Sequence, residues 1–310
     1  MLMGVWNIRG ASLRAALVLV AVTSLTTPVH SAEQGEGTAG VTIKILSCNV
    51  RVPQPEDERA GDGWEARREL CGDVIVNQHA DIVCLQEARG YQVDELKRRL
   101  PEFDATGMSH PTREIVQNNA IMYSRERFEL NSSGGFWFSE QPHVAGSKGW
   151  DTASPRHANW ARFRVRGEST PGDDEFIVWN THFDHKGQQA REEQARMTVE
   201  AAAAFDQIGI PQILTGDMNA KTNNRAIVTL REGGWDDTYA KLHGPADPGF
   251  TFHGFMGDRR KTKDGGGKID WIFTRGDVKT LGAEILRDGR DGRYPSDHYF
   301  LSATLELPSK

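Results

Sequence analysis

Short apolar runs in this chain stop abruptly at polar side chains, and the run that begins at Ile213 shows the pattern most clearly. It reaches Gly216, and Asp217 and Asn219 follow. The run is too short for a buried helix, so we predict a core strand that ends at Gly216. Side chains two residues apart in an extended chain point the same way, and a carboxylate beside a carboxamide can hold and polarise a water molecule. Asp and Asn after Gly are also common turn formers, so this segment alone does not establish a site.

The same pattern occurs near the start of the chain. Residues 41–50 alternate and then become apolar, which predicts a strand with Asn49 at its end. Helical spacing over residues 64–79 precedes a second apolar run that ends at Glu87. In open α/β sheets the carboxyl ends of strands bind ligands, so we expect Asn49 and Glu87 to meet. The alternative for Glu87 is a strand-end charge that faces water.

Further along, the pattern predicts strands over residues 118–124, 135–139, 159–165, 175–183 and 268–273, and a last strand from Tyr294. Helices are predicted over residues 188–208 and 223–233, and the prolines and glycines of residues 140–157 indicate an irregular segment. His182, Asp270, Asp297 and His298 lie at or beside the ends of these strands. An acid buried next to Trp271 is costly unless it is paired, so we predict His298 as the partner of Asp270.

One mechanism uses all of these polar groups. Glu87, Asn49 and Asp297 are candidate oxygen ligands for Mg²⁺, which prefers few carboxylates, several waters and a substrate phosphate; Mn²⁺ is the alternative ion. Such an ion neutralises charge on the phosphate and on the leaving oxygen.

The remaining polar groups then have roles in hydrolysis. Asp217 is the candidate base for the attacking water, and Asn219 positions that water or a phosphoryl oxygen. His298, oriented by Asp270, holds the phosphate as an imidazolium. His182 either stabilises the transition state or protonates the leaving group.

The N-terminal segment and the composition bear on where the protein acts. Residues 1–31 carry two arginines before a short apolar run and small residues at the end, which is typical of a secretory signal; the run is too short for a membrane anchor. Residues 32–40 form a predicted disordered leader, and residues 41–308 form one catalytic domain. The net charge of −6 offers no broad surface for nucleic acid. Three cysteines are too few for a disulfide framework, although a single pair remains open in an exported protein.

Six motifs occur in the order seen in the endonuclease/exonuclease/phosphatase superfamily, which the chain resembles over residues 41–307. They are Ser47–Arg51, Leu85–Glu87, Asn180–His182, Gly216–Asn219, Lys268–Ile272 and Ser296–His298. The resemblance implies a four-layer α/β sandwich, in which helices cover two packed mixed sheets and a divalent-metal site lies at one rim. It supports the roles assigned above.

The resemblance adds one phosphate contact and leaves the substrate open. It implies that Arg156 binds substrate phosphate together with Asn219 and His182; the alternative for Arg156 is a solvated loop charge. The sequence is most similar to an exported bacterial branch of the superfamily that is described mainly as uncharacterised hydrolases. Many relatives have a glycine and an acid where this chain has Gln117, Asn118 and Asn119, which leaves open a partner for His182 or a further metal ligand.

Three functional classes remain. The first is a secreted or periplasmic phosphoesterase acting on a nucleic acid, an inositol phosphate, a sugar phosphate or a lipid headgroup, with no protein partner implied. A basic loop over residues 255–267, with Arg259, Arg260, Lys261, Lys263 and the following Lys268, is either a solvated surface or a contact for a polyanionic substrate. The second class is a catalytically silent binding module. The third, a serine esterase, is disfavoured because no Gly-x-Ser-x-Gly segment occurs.

Overall fold

A computed structural model describes residues 40–108, 119–167, 175–206, 208–261 and 266–308. The predicted signal and all of the predicted leader except Gly40 lie outside these residues. No helix in the described ranges is long and apolar enough to cross a membrane. Cys48, Cys71 and Cys84 are all buried and unpaired, so the open question of a disulfide is answered.

The described strands, in chain order, are β1 (Val41–Asn49), β2 (Ile82–Gln86), β3 (Phe103–Thr106), β4 (Ile121–Ser124), β5 (Phe128–Trp137), β6 (His157–Val165), β7 (Glu175–His182), β8 (Gln212–Asp217), β9 (Asp236–Asp237), β10 (Asp270–Arg275), β11 (Lys279–Leu286) and β12 (Phe300–Leu307). The α-helices are α1 (Pro55–Ala60), α2 (Trp64–Asn77), α3 (Gly90–Arg99), α4 (Gln188–Asp206), α5 (Arg225–Glu232) and α6 (Thr238–His243). A short 3₁₀ helix covers Gly257–Arg259.

The described strands form two mixed sheets of six strands each. Their orders are β11-β12-β1-β2-β4-β3 and β5-β6-β7-β8-β10-β9. Each sheet has one parallel pair at its centre, β1 with β2 and β7 with β8, and its other pairs are antiparallel. The carboxyl ends of the two parallel pairs carry the polar residues singled out in the sequence.

Apolar side chains divide the fold into four layers. One cluster, which includes Ile45 of β1 and Phe163 of β6, fills the space between the two sheets. A second cluster packs α2 and α3 on the outer face of the first sheet, and a third packs α4 and α5 on the outer face of the second. The predicted four-layer α/β sandwich is confirmed.

A buried polar contact crosses the gap between the sheets beneath the strand ends. Gln86 Nε2 donates to Asn180 Oδ1 at 2.7 Å, and Asn180 Nδ2 donates to the carbonyls of Leu85 and Ala120 at 2.9 and 3.0 Å. Thr215 Oγ1 donates to Asn180 Oδ1 at 3.2 Å. Buried amides need such partners, so this contact selects one alignment of the two sheets.

Some elements differ from the sequence prediction. The sequence prediction omits helix α3 and the edge strand β11, although the buried residues Gln92, Val93 and Leu96 of α3 recur at helical spacing. The last strand begins at Phe300 rather than Tyr294. His298 pairs instead with Phe252 in an isolated bridge, which keeps the preceding segment out of the sheet.

Gly216 lets β7 and β8 approach each other, which predicts that Gly216→Ala is strongly destabilising. An added Cβ would stand 2.3 Å from the carbonyl oxygen of Thr181. We expect a loss of about 3 kcal/mol in the free energy of unfolding, measured by chemical denaturation. Gly167→Ala is the control, because an added Cβ there meets nothing within 4 Å and only its left-handed backbone is strained, at about 1 kcal/mol. Equal losses in the two variants would contradict this explanation.

Candidate active site

Asp217 lies where the ends of three strands meet. It is in register with His182 on the parallel neighbour β7 and with Asp270 on the antiparallel neighbour β10. Because β10 runs in the opposite direction, its first residue lies beside the last residue of β8. From the other sheet, Asn49 Nδ2 donates to Asp217 Oδ2 at 3.0 Å. One carboxylate is therefore in contact with groups from both sheets.

The surroundings of Asp217 favour proton transfer near neutral pH. Its Oδ1 accepts the backbone N–H of Asn219 at 2.9 Å, and its Oδ2 lies 3.4 Å from His182 Nε2 and 3.8 Å from His298 Nε2. Burial and the nearby Asp270 raise the pKa of Asp217 to about 7. A base with such a pKa can accept a proton at physiological pH and release it again.

His298 is held as a cation by Asp270, the partner that the sequence predicts. Its Nδ1 lies 2.9 Å from Asp270 Oδ2. Burial opposes the charge, but Asp270, together with Asp217 and Asp297, raises the pKa of His298 to about 10. The imidazolium Nε2–H is then available to an anionic group.

His182 is in the opposite state. Asn219 Nδ2 donates to the carbonyl of Phe183 at 3.1 Å, which orients the amide, and its second hydrogen points to His182 Nε2 at 3.0 Å. Burial and Arg156 hold the pKa of His182 well below its usual value. A neutral ring that accepts at Nε2 cannot protonate a leaving group through that atom. This arrangement does not favour an acid role for His182.

The residue that would pair with His182 Nδ1 is not found in the described part of the chain. This atom is buried and has no hydrogen-bond partner among the described residues. Gln117 and Asn118 lie outside those residues. Asn119 is described, and its side chain donates to the carbonyl of His157 instead.

Two of the predicted metal ligands, Glu87 and Asp297, differ in whether other possible ligand atoms lie close to them. Glu87, His182 and Asp217 each offer a ligand atom within 4.8 Å of the others, as do Asp217, Asp270 and His298. Asp297 belongs to neither group; its Oδ2 lies 3.4 Å from Arg51 Nη1.

Asn49 lies between the carboxylates of Glu87 and Asp217. It presents Nδ2 rather than its oxygen to Glu87 and Asp217, at 3.3 and 3.0 Å, because its Oδ1 accepts the backbone N–H of Arg51. The amide hydrogens thus lie against two carboxylates.

Glu87 offers a carboxylate that fits a hard divalent cation. Asn49 donates to this carboxylate and to that of Asp217, and a cation is attracted to the same electronegative position. Glu87 has a left-handed backbone with φ 61°, and its Oε2 accepts the N–H of Val52 at 2.8 Å. Arg51 and Asn219 are also left-handed, with φ of 58° and 46°. Uncommon backbone conformations of this kind cluster at functional sites.

A model of the Endonuclease/Exonuclease/phosphatase family matches residues 4–298. The chain belongs to this family. Members of this family hydrolyse phosphoric ester bonds. Two solved structures from Bacteroides thetaiotaomicron, a family protein and a mannosyl-6-phosphatase, are each 28% identical to the chain with a TM-score of 0.75. Each alignment covers 86% of this chain, and 98% and 100% of those chains respectively.

More distant proteins are similar in fold or over part of the sequence. The catalytic domain of human Nocturnin is 19% identical, with a TM-score of 0.66, over 86% of this chain and 93% of that chain; this likeness concerns the fold alone. Two uncharacterized proteins of Acanthamoeba polyphaga mimivirus are 26% and 25% identical over 130 and 150 residues. These matches cover 37% and 46% of this chain. The chain aligns with 19% and 54% of their lengths.

The site of this family member includes Arg156 in a buried position. Arg156 is 7% exposed and lines the same cleft as Asp217 and His298, so it is not a solvated loop charge. Its Nε lies 3.8 Å from Asp184 Oδ2. The basic loop also requires a correction: Lys268 is 1% exposed and pairs with Asp237 at 2.8 Å, so it is not part of a surface patch.

Sequence reasoning missed two residues that shape this site. Arg67 is buried and donates to the carbonyls of Val50, Arg51 and Pro295 at 2.6 to 2.9 Å. It thereby joins the segment that follows β1 to the segment that precedes His298. Asp184 is fully buried and organises the loops beside Arg156. Asp184 follows His182 by two residues, and that spacing is the one sequence signal that could have identified it.

The state of His298 predicts a measurable pH dependence. Its folded pKa lies above its unfolded pKa of about 6.5, so its contribution to stability is present below about pH 6.5 and is lost as the pH rises towards 10. Asp270→Asn removes the paired charge and should lower this pKa, which NMR titration of the imidazole would measure. The exposed Asp236→Asn variant is the control. A His298 titration that is the same in both variants would exclude Asp270 as the cause.

Proposed function

We propose that this family member is an exported, divalent-metal-dependent phosphoesterase in which Asp217 activates the attacking water and His298 holds the phosphate. The observation that carries the proposal is the position of Asp217, which lines the cleft and whose two oxygens are in reach of Asn49, Asn219, His182 and His298. Export after removal of residues 1–31 rests on the character of that segment alone.

Each contact of the site has a use in hydrolysis. Asp217 takes a proton from water, and its pKa of about 7 suits that transfer. The backbone N–H of Asn219 holds Asp217 Oδ1 in place. The His298 imidazolium, fixed by Asp270, donates to a phosphoryl oxygen where negative charge develops. Arg156 supplies a second positive charge on the wall of the cleft.

Glu87 is the carboxylate that would hold the metal ion while Asp217 serves as base. Asn49 would add its oxygen only if its amide turned away from its present contacts. When bound, the ion neutralises phosphate charge; Mg²⁺ suits these hard oxygen donors, and Mn²⁺ is the alternative.

For the substrate, we propose a phosphate monoester of a hydroxyl-rich alcohol, such as a sugar phosphate. The mannosyl-6-phosphatase at 28% identity, aligned over its whole length, supports this class. The net charge of −6, and the burial of Lys268 in an ion pair, give little support to a polynucleotide substrate. The intact set of polar strand ends gives no support to a silent binding module.

Asp217→Ala and His298→Ala test the mechanism. Both should lower kcat by at least about 100-fold, because they remove the base and the charge that stabilises the phosphate. The exposed Glu232→Ala variant should retain wild-type turnover, and circular dichroism should show that all three variants are folded. Near-wild-type rates in either site variant would rule out the proposed mechanism.

Glu87→Ala tests the metal site. It removes the main anionic ligand, so the Mg²⁺ concentration needed for half-maximal rate should rise by about tenfold or more. The control variant is Asp57→Ala. It removes an acid that pairs with Arg51 and that is not a proposed metal ligand. A metal titration unchanged by Glu87→Ala would show that the ion binds elsewhere.

The substrate proposal is tested with protein that starts at Ala32, stripped of metal and then given Mg²⁺. Initial rates are compared for mannose 6-phosphate, inositol phosphates, sphingomyelin, RNA and linear or plasmid DNA. We expect the highest kcat/KM on sugar phosphates, with little dependence on salt. Activity confined to DNA or RNA that falls steeply with salt would instead identify a nuclease.

A further inference from the structure

One wall of the cleft is built by two segments, residues 151–156 and 182–187, which are joined through Asp184. Its carboxylate accepts the hydroxyl of Thr152 and the backbone N–H groups of residues 153, 154, 186 and 187, at 2.7 to 3.3 Å. Burial opposes its charge, but these hydrogen bonds and Arg156 lower the pKa of Asp184 to about 2. A charged Asp184 therefore fixes the backbone that carries Ser154, Arg156 and His185.

The contact between Arg156 and His185 determines which imidazole nitrogen carries the proton. Arg156 Nη2 lies 3.2 Å from His185 Nδ1. A guanidinium group only donates hydrogen bonds, so Nδ1 must accept and the proton of the neutral ring lies on Nε2. Burial and the charge of Arg156 lower the pKa of His185, which favours this neutral ring.

His185 is placed at the mouth of the cleft rather than at its floor. It lines the same cleft as Asp217 and His298, yet it is exposed whereas both of those residues are buried. A phosphate held by His298 and attacked by water at Asp217 lies at the floor. The alcohol part of the ester must then extend towards the mouth. A neutral N–H donor at this position is better suited to bind a hydroxyl oxygen than to bind a second anion.

We propose that His185 is a substrate-binding residue that donates from Nε2 to a hydroxyl oxygen on the alcohol part of the phosphate ester. This inference rests on the proposed function, and the contact to His185 explains how that site would select a hydroxyl-rich substrate. Arg156 and Asp184 act through His185 as positioning residues in this selection.

Two variants separate a binding role from a structural one. In His185→Gln, the side-chain amide nitrogen can reach the position of imidazole Nε2 and keep the donor. In His185→Asn, the shorter amide can keep an acceptor near Nδ1 for Arg156 but loses the donor. The measured quantity is the ratio of kcat/KM for mannose 6-phosphate to that for p-nitrophenyl phosphate, whose alcohol part has no hydroxyl group.

We expect His185→Asn to lower this ratio about five- to tenfold, mainly through KM for mannose 6-phosphate, and His185→Gln to restore most of it. The opposite order, or a ratio equal to that of the wild type in His185→Asn, would overturn the proposal. Equal losses on both esters would also overturn it, because they would indicate a contact to phosphate or a structural role.

A second measurement does not depend on turnover. The ¹⁵N spectrum of the histidine side chains in the wild-type protein should show His185 as the Nε2–H form, and this signal should shift when mannose 6-phosphate is added. A wild-type protein inactive on every ester would refute the proposed function, whereas an Nδ1–H form or an unmoved signal would refute the role of His185.

Discussion

The contact between Gln86 and Asn180 is the interaction on which the active site depends. It joins the central strands of the two sheets inside the sandwich, one residue before Glu87 and two before His182. Apolar packing is not directional and would allow the sheets to slide, whereas a buried amide pair is costly to separate. The distance between Glu87 on one sheet and Asp217 on the other is thus controlled from beneath the site.

Above this contact, neighbouring groups give two buried imidazoles opposite charge states. Asp270 raises the pKa of His298 against the effect of burial, whereas burial and the charge of Arg156 lower the pKa of His182. Asp217 is buried with another carboxylate nearby, so its pKa rises to about 7. One carboxylate with a raised pKa, one cation and one neutral ring are thereby placed around the same cleft.

Much of the site could be predicted from the sequence, because apolar runs identify strands and their last residues identify the rim. The predicted pair of Asp270 and His298 is present, and Asn49 and Glu87 do meet. Details that depend on contacts distant in sequence could not be predicted. Asp297, for example, pairs with Arg51 and does not belong to the group of possible ligand atoms that includes Glu87.

The sequence alone determined the set of polar strand ends, because alternation and abrupt termination are local properties of the chain; the family and the two-sheet fold followed from the resemblance of its six motifs. Only the tertiary structure decided the protonation states and the walls of the cleft. The burial of Arg156 and Lys268, and the tautomer of His185, depend on partners brought close by folding. Charges that appear similar in sequence acquire different roles because desolvation and neighbouring groups, not residue type, determine their free energies.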